Sequence, residues 1–161
     1  MATVSLSLDE IYKLANKTLL ANGCDQETAD ILSELITNAE RDGSLSHGLF
    51  RLPAYVSGLK SGKINGKQKP DIKKLTPSVI KADGKNCLAP VVLNKSIPEL
   101  VKAAKENGVA VLAIINSHHM AAMWPETEKI AEEGLVAFAC TSYKPAVAPA
   151  GAIKPLFGTN P

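Results

Sequence analysis

The chain has 161 residues, 45% of them hydrophobic and 21% charged, with a formal net charge of +2. This is the make-up of an ordinary globular protein, long enough to bury a core without disulfide or metal staples. No run nears the roughly 18 to 20 apolar residues of a membrane helix. The balance of charge leaves no footprint for nucleic acid, so disordered, collagen-like, disulfide-rich and membrane classes are excluded.

The N-terminus lacks a basic stretch followed by an apolar block, so no signal peptide is expected. Ser7-Leu8-Asp9-Glu10 reads as a capping box, with Ser7 closing the helix start and Glu10 reaching back to it. Leu8, Ile11, Tyr12, Leu14, Ala15, Leu19 and Leu20 then recur at helical spacing up to Gly23. A second helix is predicted from the Asp25 cap to about Gly43, with Ala29, Leu32, Leu35, Ile36 and Ala39 on its apolar face. A third is predicted from about Leu49 to Gly62, with Pro53 in its first turn or at a kink.

Residues 60–74 hold six lysines against one acid, Asp71. With no aromatic residue interleaved to stack on bases, the stretch reads as a solvated linker rather than an anion site. Beyond it, residues 78–82 alternate like a short strand. Ser96-Ile97-Pro98-Glu99 resembles a second capping box, opening a helix that closes near Asn107-Gly108. Residues 109–115 and 135–141 have the composition and length of buried strands, with a helix near 125–133 between them. The expected class is α/β: an N-terminal helical unit followed by a mixed layered sheet. The chain closes on Pro155-Leu156-Phe157-Gly158-Thr159-Asn160-Pro161, turn residues after apolar ones, which reads as a sequence stopping partway through a larger protein.

Three clusters could carry chemistry. Ser46-His47-Gly48 with Arg51 falls in a glycine-flanked break between helices. A histidine there can donate a proton near neutral pH, a neighbouring hydroxyl can orient it, and an arginine can grip a carboxylate through two parallel hydrogen bonds. A surface cap bearing an ordinary His and Arg is the alternative. Arg51 is one of only two arginines, the other being Arg41, among 18 basic residues.

The second cluster is Asn116-Ser117-His118-His119, followed by small residues up to Met123. It lies at the carboxyl end of a strand, where α/β sheets place ligands; turn residues closing the strand are the alternative. His47, His118, His119 and Cys140 could also be metal ligands, yet adjacent histidines rarely share an ion and neither H-x-x-x-H nor HExxH occurs; no metal site is assigned. The third cluster, residues 147–151 running into 158–161, reads as a loop able to hold a carboxylate or amide. Neither a Rossmann glycine fingerprint nor a Walker A sequence is present. Cys24, Cys87 and Cys140, odd in number and far apart, read as reduced thiols in the cytoplasm.

Taken in order, Ala39-Glu40-Arg41-Asp42-Gly43-Ser44-Leu45-Ser46-His47-Gly48, Arg51-Leu52-Pro53-Ala54-Tyr55, the 116–125 stretch and Phe157-Gly158-Thr159-Asn160-Pro161 resemble the malate/L-lactate dehydrogenase-like oxidoreductases, whose nicotinamide-binding fold is not a Rossmann fold. Within that family, His118-His119-Met120-Ala121-Ala122-Met123-Trp124-Pro125 is most similar to the Δ1-piperideine-2-carboxylate/Δ1-pyrroline-2-carboxylate reductases.

The resemblance implies hydride transfer from NADPH, or NADH, to the C=N carbon of a cyclic imino acid, giving L-pipecolate or L-proline. A 2-oxo acid dehydrogenase of the same family, or a non-catalytic piece of such an enzyme, is the alternative. It implies His47 as general acid with Ser46 relaying to it, and Arg51 as carboxylate clamp with Thr159 a second donor. His119, Met120, Ala121, Ala122 and Met123 would line the cofactor, with Ser142 beside them. Residues 1–70 would form a substrate-side helical unit and 71–161 the first part of the cofactor domain. Family members run well beyond the Gly158-Thr159-Asn160-Pro161 element, so the 161-residue chain alone is expected to be inactive and the complete protein a cytoplasmic homodimer.

Overall fold

The computed structural model describes residues 4–118 and 121–158. In it the chain forms two compact units, Met1–Ala122 and Met123–Pro161. The first begins with a helical pair. Helix α1 (Leu8–Ala21) is closed by the predicted box: Ser7 Oγ accepts from the Glu10 amide at 3.2 Å, and the Glu10 carboxylate accepts from the Ser7 amide at 2.8 Å. Helix α2 (Gln26–Arg41) starts at Asp25, whose Oδ1 accepts from the Thr28 amide at 2.9 Å. Ile11, Ala15 and Leu19 of α1 pack with Ala29, Leu32 and Ile36 of α2 in one buried cluster, each large side chain contributing ~1.5–3 kcal/mol. Gly43, at φ +73°, turns the chain out of α2 in a conformation that penalises any side chain with a Cβ.

The third predicted helix is shorter and later than expected. Two 3₁₀ turns, Leu45–His47 and Leu49–Arg51, precede α3 (Leu52–Lys60), with Pro53 in its first turn.

Next come β1 (Asp71–Thr76), β2 (Val79–Asp83), α4 (Ala89–Asn107) and β3 (Val111–Ile115). The described sheet has the order β1-β2-β3. β1 and β2 form an antiparallel hairpin, Asp71 opposite Asp83 and Lys73 opposite Lys81. β2 and β3 are parallel, Val79 opposite Val111 and Asp83 opposite Ile115, with α4 as the crossover such a pair requires. Ala82, Cys87, Leu88, Val91 and Val92 belong to the same buried cluster as α1 and α2. The packing therefore runs across residue 70 without a break.

Other sequence expectations also differ from what is observed. The supposed linker ends in a strand: β1 lies at the sheet edge with Lys73 and Lys74 exposed, and lysine is the residue that blunts such edges. Nor is the linker wholly solvated. Lys69 Nζ bonds the Asp25 carboxylate at 2.8 Å and also that of Glu27, while Lys95 of α4 bonds Glu27 from the other side. Burial raises the Asp25 carboxyl pKa, but the bonds from Lys69 and the Thr28 amide outweigh it and bring the value to about 2.

Ser96 does not cap α4. The helix begins seven residues earlier, with Pro90 in its first turn, and encloses both Ser96 and Pro98. Pro98 deprives the Asn94 carbonyl of its donor, and because Asn94 is exposed, water can replace it. β3 is not buried through its length; alternate residues, Val111 and Ile115 among them, face solvent.

Residues 135–141 of the second unit form no ladder with any described strand. Their exposure alternates, Val136 and Phe138 standing out at 102% and 92%. The period is that of a strand, but a strand also needs a partner for its amides and carbonyls. The second unit also holds α5 (Trp124–Ala131). It closes on a loop in which Val147 and Phe157 exchange backbone hydrogen bonds at 2.8 and 3.0 Å. Among the described helices, none is long and apolar enough to cross a membrane.

Candidate functional site

The break after α2 is built from short backbone closures. The Ser44 amide bonds Ala39 O at 2.8 Å, the His47 amide bonds Ser44 O at 2.8 Å, and the Arg51 amide bonds Gly48 O at 2.9 Å. The turns expose Leu45, Ser46 and Phe50 and leave His47, Leu49 and Arg51 half-buried, Leu49 against the core. Ser46 is exposed and its Oγ lies 2.9 Å from His47 Nδ1; Ser44 Oγ is 3.5 Å from the same nitrogen. The shorter contact is a full hydrogen bond and the longer one lies at the limit of the geometry. Which partner donates in the Ser46–His47 bond follows from the tautomer of the ring.

Arg51 follows in the second 3₁₀ turn and is half-buried, its Nε buried without a hydrogen-bond partner. One turn on, Tyr55 is 1% exposed and its hydroxyl also lacks a partner. Burial pushes the Tyr55 phenol well above its ordinary value, the Arg51 charge pulling slightly the other way. Buried polar groups in proteins are normally paired, and Arg51 Nε is the charged member of the buried side-chain atoms that lack a partner among the described residues.

The second cluster is anchored on the loop after β2. The Asn86 amide bonds Asn116 O at 2.8 Å, the His118 amide bonds Cys87 O at 3.0 Å, and the Ala89 amide bonds His118 O at 2.9 Å. Asn116 adopts φ +50° and donates through Nδ2 to Asp83 Oδ1 at 3.1 Å. The Lys85 amide, and after it the Asn116 side chain, hold the Asp83 carboxyl below its ordinary pKa. Gly84 passes so close that a Cβ would meet Asn116 O and the Ser117 side chain at 2.9 Å. This fixes the residues leaving the carboxyl end of β3.

Of the residues expected to line a cofactor, Ala121 and Ala122 are buried at the end of the first unit. Met123 begins the second unit as the residue before α5. His119, Met120 and Thr159 lie outside the described residues. Ser142 is exposed, and the strand expected to carry it is not formed.

The structure thus joins Ser46 to His47 directly and sets Arg51 in the adjoining turn, while the Asn116–His118 turn is held separately on residues 84–89. Among the described residues no group of three His, Cys, Asp or Glu side chains could hold a metal ion. Cys24 and Cys87 are buried. Burial raises both thiol pKa values, Cys24 to about 11, which leaves neither reactive.

Sequence reading gave Glu40 no role. Its Oε1 accepts from the Leu49 amide at 2.7 Å, and its side chain occupies the space a Cβ on Gly48 would need. One signal was available: an acid in the last turn of a helix opposes the macrodipole, so such a residue needs another reason to be there.

Comparison with known proteins places these residues in context. The sequence family described as malate/L-lactate dehydrogenase matches residues 6–161. A Δ1-pyrroline-2-carboxylate/Δ1-piperideine-2-carboxylate reductase of Pseudomonas syringae pv. tomato is 41% identical over 159 residues, covering 99% of this chain and 46% of its own length. The crystal structure of Δ1-piperideine-2-carboxylate reductase from the same organism superposes with a TM-score of 0.91 at 40% identity, covering 98% of this chain and 48% of that one. Malate dehydrogenase from Pyrococcus horikoshii superposes at 0.86 with 31% identity, covering 98% and 45%. The chain spans about half the length of the curated relatives it matches.

Proposed function

Because the chain belongs to the malate/L-lactate dehydrogenase family, we propose that its residues serve the NAD(P)H-dependent reduction of a cyclic imino acid: Δ1-piperideine-2-carboxylate to L-pipecolate, or Δ1-pyrroline-2-carboxylate to L-proline. The observation that carries this reading is the Ser46–His47 hydrogen bond beside an arginine whose buried Nε has no protein partner. His47 gives its Nε2 proton to the imine nitrogen as the C=N carbon accepts hydride. Ser46 holds Nδ1 and keeps the ring in register for the transfer. Arg51 takes the substrate carboxylate, fixing the carbon that is reduced.

When bound, the reduced nicotinamide supplies the hydride. The segment proposed to hold it is His119, Met120, Ala121, Ala122 and Met123, with Ser142 as a further contact and Thr159 as a second donor to the substrate. Methyl side chains at Ala121 and Ala122, both buried, fit a flat ring better than a polyphosphate, and the chain has no glycine-rich phosphate loop. NADPH is proposed ahead of NADH on the family resemblance. In this reading residues 1–70 divide from 71–161 by role, substrate side and cofactor side, although the packing is continuous. The whole protein is proposed to be a cytoplasmic homodimer acting on small imino or oxo acids.

A second reading, reduction of a 2-oxo acid, is favoured by the likeness to a malate dehydrogenase. His47 could protonate a carbonyl oxygen as readily as an imine nitrogen. The deciding measurement is NADPH consumption with freshly generated Δ1-piperideine-2-carboxylate against pyruvate and oxaloacetate, for this chain and for any longer product of its gene. Turnover of the imine is expected in the longer product. Turnover of oxo acids alone would assign the second reading, and turnover in the 161-residue chain would show that these residues suffice.

A further inference from the structure

The break that carries Ser46, His47 and Arg51 contains only short turns, and short turns are held weakly by their own hydrogen bonds. Something outside it must set its geometry. We infer that Glu40 is the positioning residue of this site: its carboxylate, reaching from the last turn of α2, pins the backbone between His47 and Arg51. Three observations converge on it.

The Leu49 amide opens the second 3₁₀ turn, where the first N–H groups lack carbonyl partners within the turn, and it donates to Glu40 Oε1 at 2.7 Å. Gly48 is buried, and its missing side chain makes the room that the Glu40 carboxylate fills. The acid also sits at the end of α2 where the helix dipole disfavours it, so its place there is not explained by helix stability. A charge-assisted bond at the midpoint of the break fixes both neighbours together: Ser46 and His47 three and two residues before Leu49, and Arg51 two residues after. This rests on the proposed function only for what the site binds; the positioning itself is a statement about the break.

The test uses the isotope-labelled 161-residue chain and three substitutions. Glu40→Ala removes the acceptor, Glu40→Asp keeps the charge but shortens the reach, and Glu40→Gln keeps both reach and acceptor. Three signals are followed: hydrogen exchange at the Leu49 amide, the ring nitrogen resonances of His47, and titration with pyrrole-2-carboxylate, a planar cyclic carboxylate. Glu40→Ala and Glu40→Asp are expected to speed Leu49 exchange and weaken probe binding, each about tenfold or more. His47 should shift toward a freely rotating imidazole, and Glu40→Gln should restore all three signals to within about threefold.

The inference is overturned if Leu49 exchanges as fast in the native chain as in Glu40→Ala. It is equally overturned if Leu49 opens while His47 and the probe titration stay unchanged, since Glu40 would then be a local cap and nothing more. Exchange at the α1 amides reports whether a variant has unfolded. If Glu40→Ala has, the contrast between Glu40→Asp and Glu40→Gln decides the matter alone. Should the native chain not bind the probe, the carboxylate reading of the site fails, and Leu49 with His47 still decides the role of Glu40.

Discussion

Two polar clusters in the first unit differ in one respect. Around Asp25, the carboxylates of Asp25 and Glu27 meet the ammonium groups of Lys69 and Lys95, and every charge has an opposite charge in reach. Around Arg51, a guanidinium nitrogen and the Tyr55 hydroxyl are buried with no partner. The first cluster is complete and joins the segment before β1 and helix α4 to the start of α2. The second carries a desolvation cost that a bound carboxylate would relieve at Arg51. Thr28, Ser33 and Ser96 also bury an unpartnered hydroxyl, so what sets the second cluster apart is the charge on Arg51.

The largest effect expected from breaking the open cluster is His47→Ala, which should lower kcat by about 10²-fold to 10⁴-fold in the form of the protein that consumes NADPH. Steady-state assay with the cyclic imine measures it, and a loss below tenfold would remove His47 from the acid role. Arg51→Lys should act mainly on KM, raising it about tenfold to a hundredfold, because an ammonium cannot reproduce a two-pronged grip. An unchanged KM with a reduced kcat would contradict the clamp.

The closed cluster should respond in stability rather than activity. The Asp25 carboxyl lies below its ordinary value, so its contribution is complete above about pH 4 and is lost as pH falls toward 2. Glu27, lowered by the bonds from Lys69 and then Lys95, adds in the same direction. Because these side chains are partly exposed, Lys69→Met should cost only about 1 kcal/mol at neutral pH. It should also flatten the acid limb of the stability curve, which urea unfolding at pH 7 and pH 3 would show. The smallest effect sharpens the contrast from the other side. Tyr55→Phe removes a hydroxyl that has no partner, so stability should stay level or rise by up to about 1 kcal/mol. A clear destabilisation would reveal an acceptor for the phenol.

What was legible in the sequence follows from how local each signal is. The caps at Ser7 and Asp25 were readable because an N-cap is a four-residue event. The same four-residue pattern at Ser96 misled, since Pro90 had already started the helix and local chemistry carries no record of that. Strand β1 was hidden by lysines that suit an edge but resemble a linker. Residues 135–141 and 111–115 share one composition, yet only the second has a neighbour to pair with, and pairing is not a local property. In the site, Ser46, His47 and Arg51 were visible by residue type and spacing. Glu40 was not, because its contact with Leu49 closes a loop of nine residues around the glycine turn.

The parallel pairing of β2 with β3 has a consequence for how the chain reaches this structure. Helices α1 and α2 are neighbours in sequence and meet across a short turn, so their contacts form at little loop-closure entropy. β3 must find β2 across the whole of α4, a distant encounter with few rewards until it is complete. The helical pair should therefore assemble first, within microseconds to milliseconds, and the sheet should close last. The break carrying His47 is bonded to α2 and takes its shape with the early partner, whereas the Asn116–His118 turn is bonded to the loop after β2 and must wait for the late one. The two candidate clusters should therefore be set at different moments of folding.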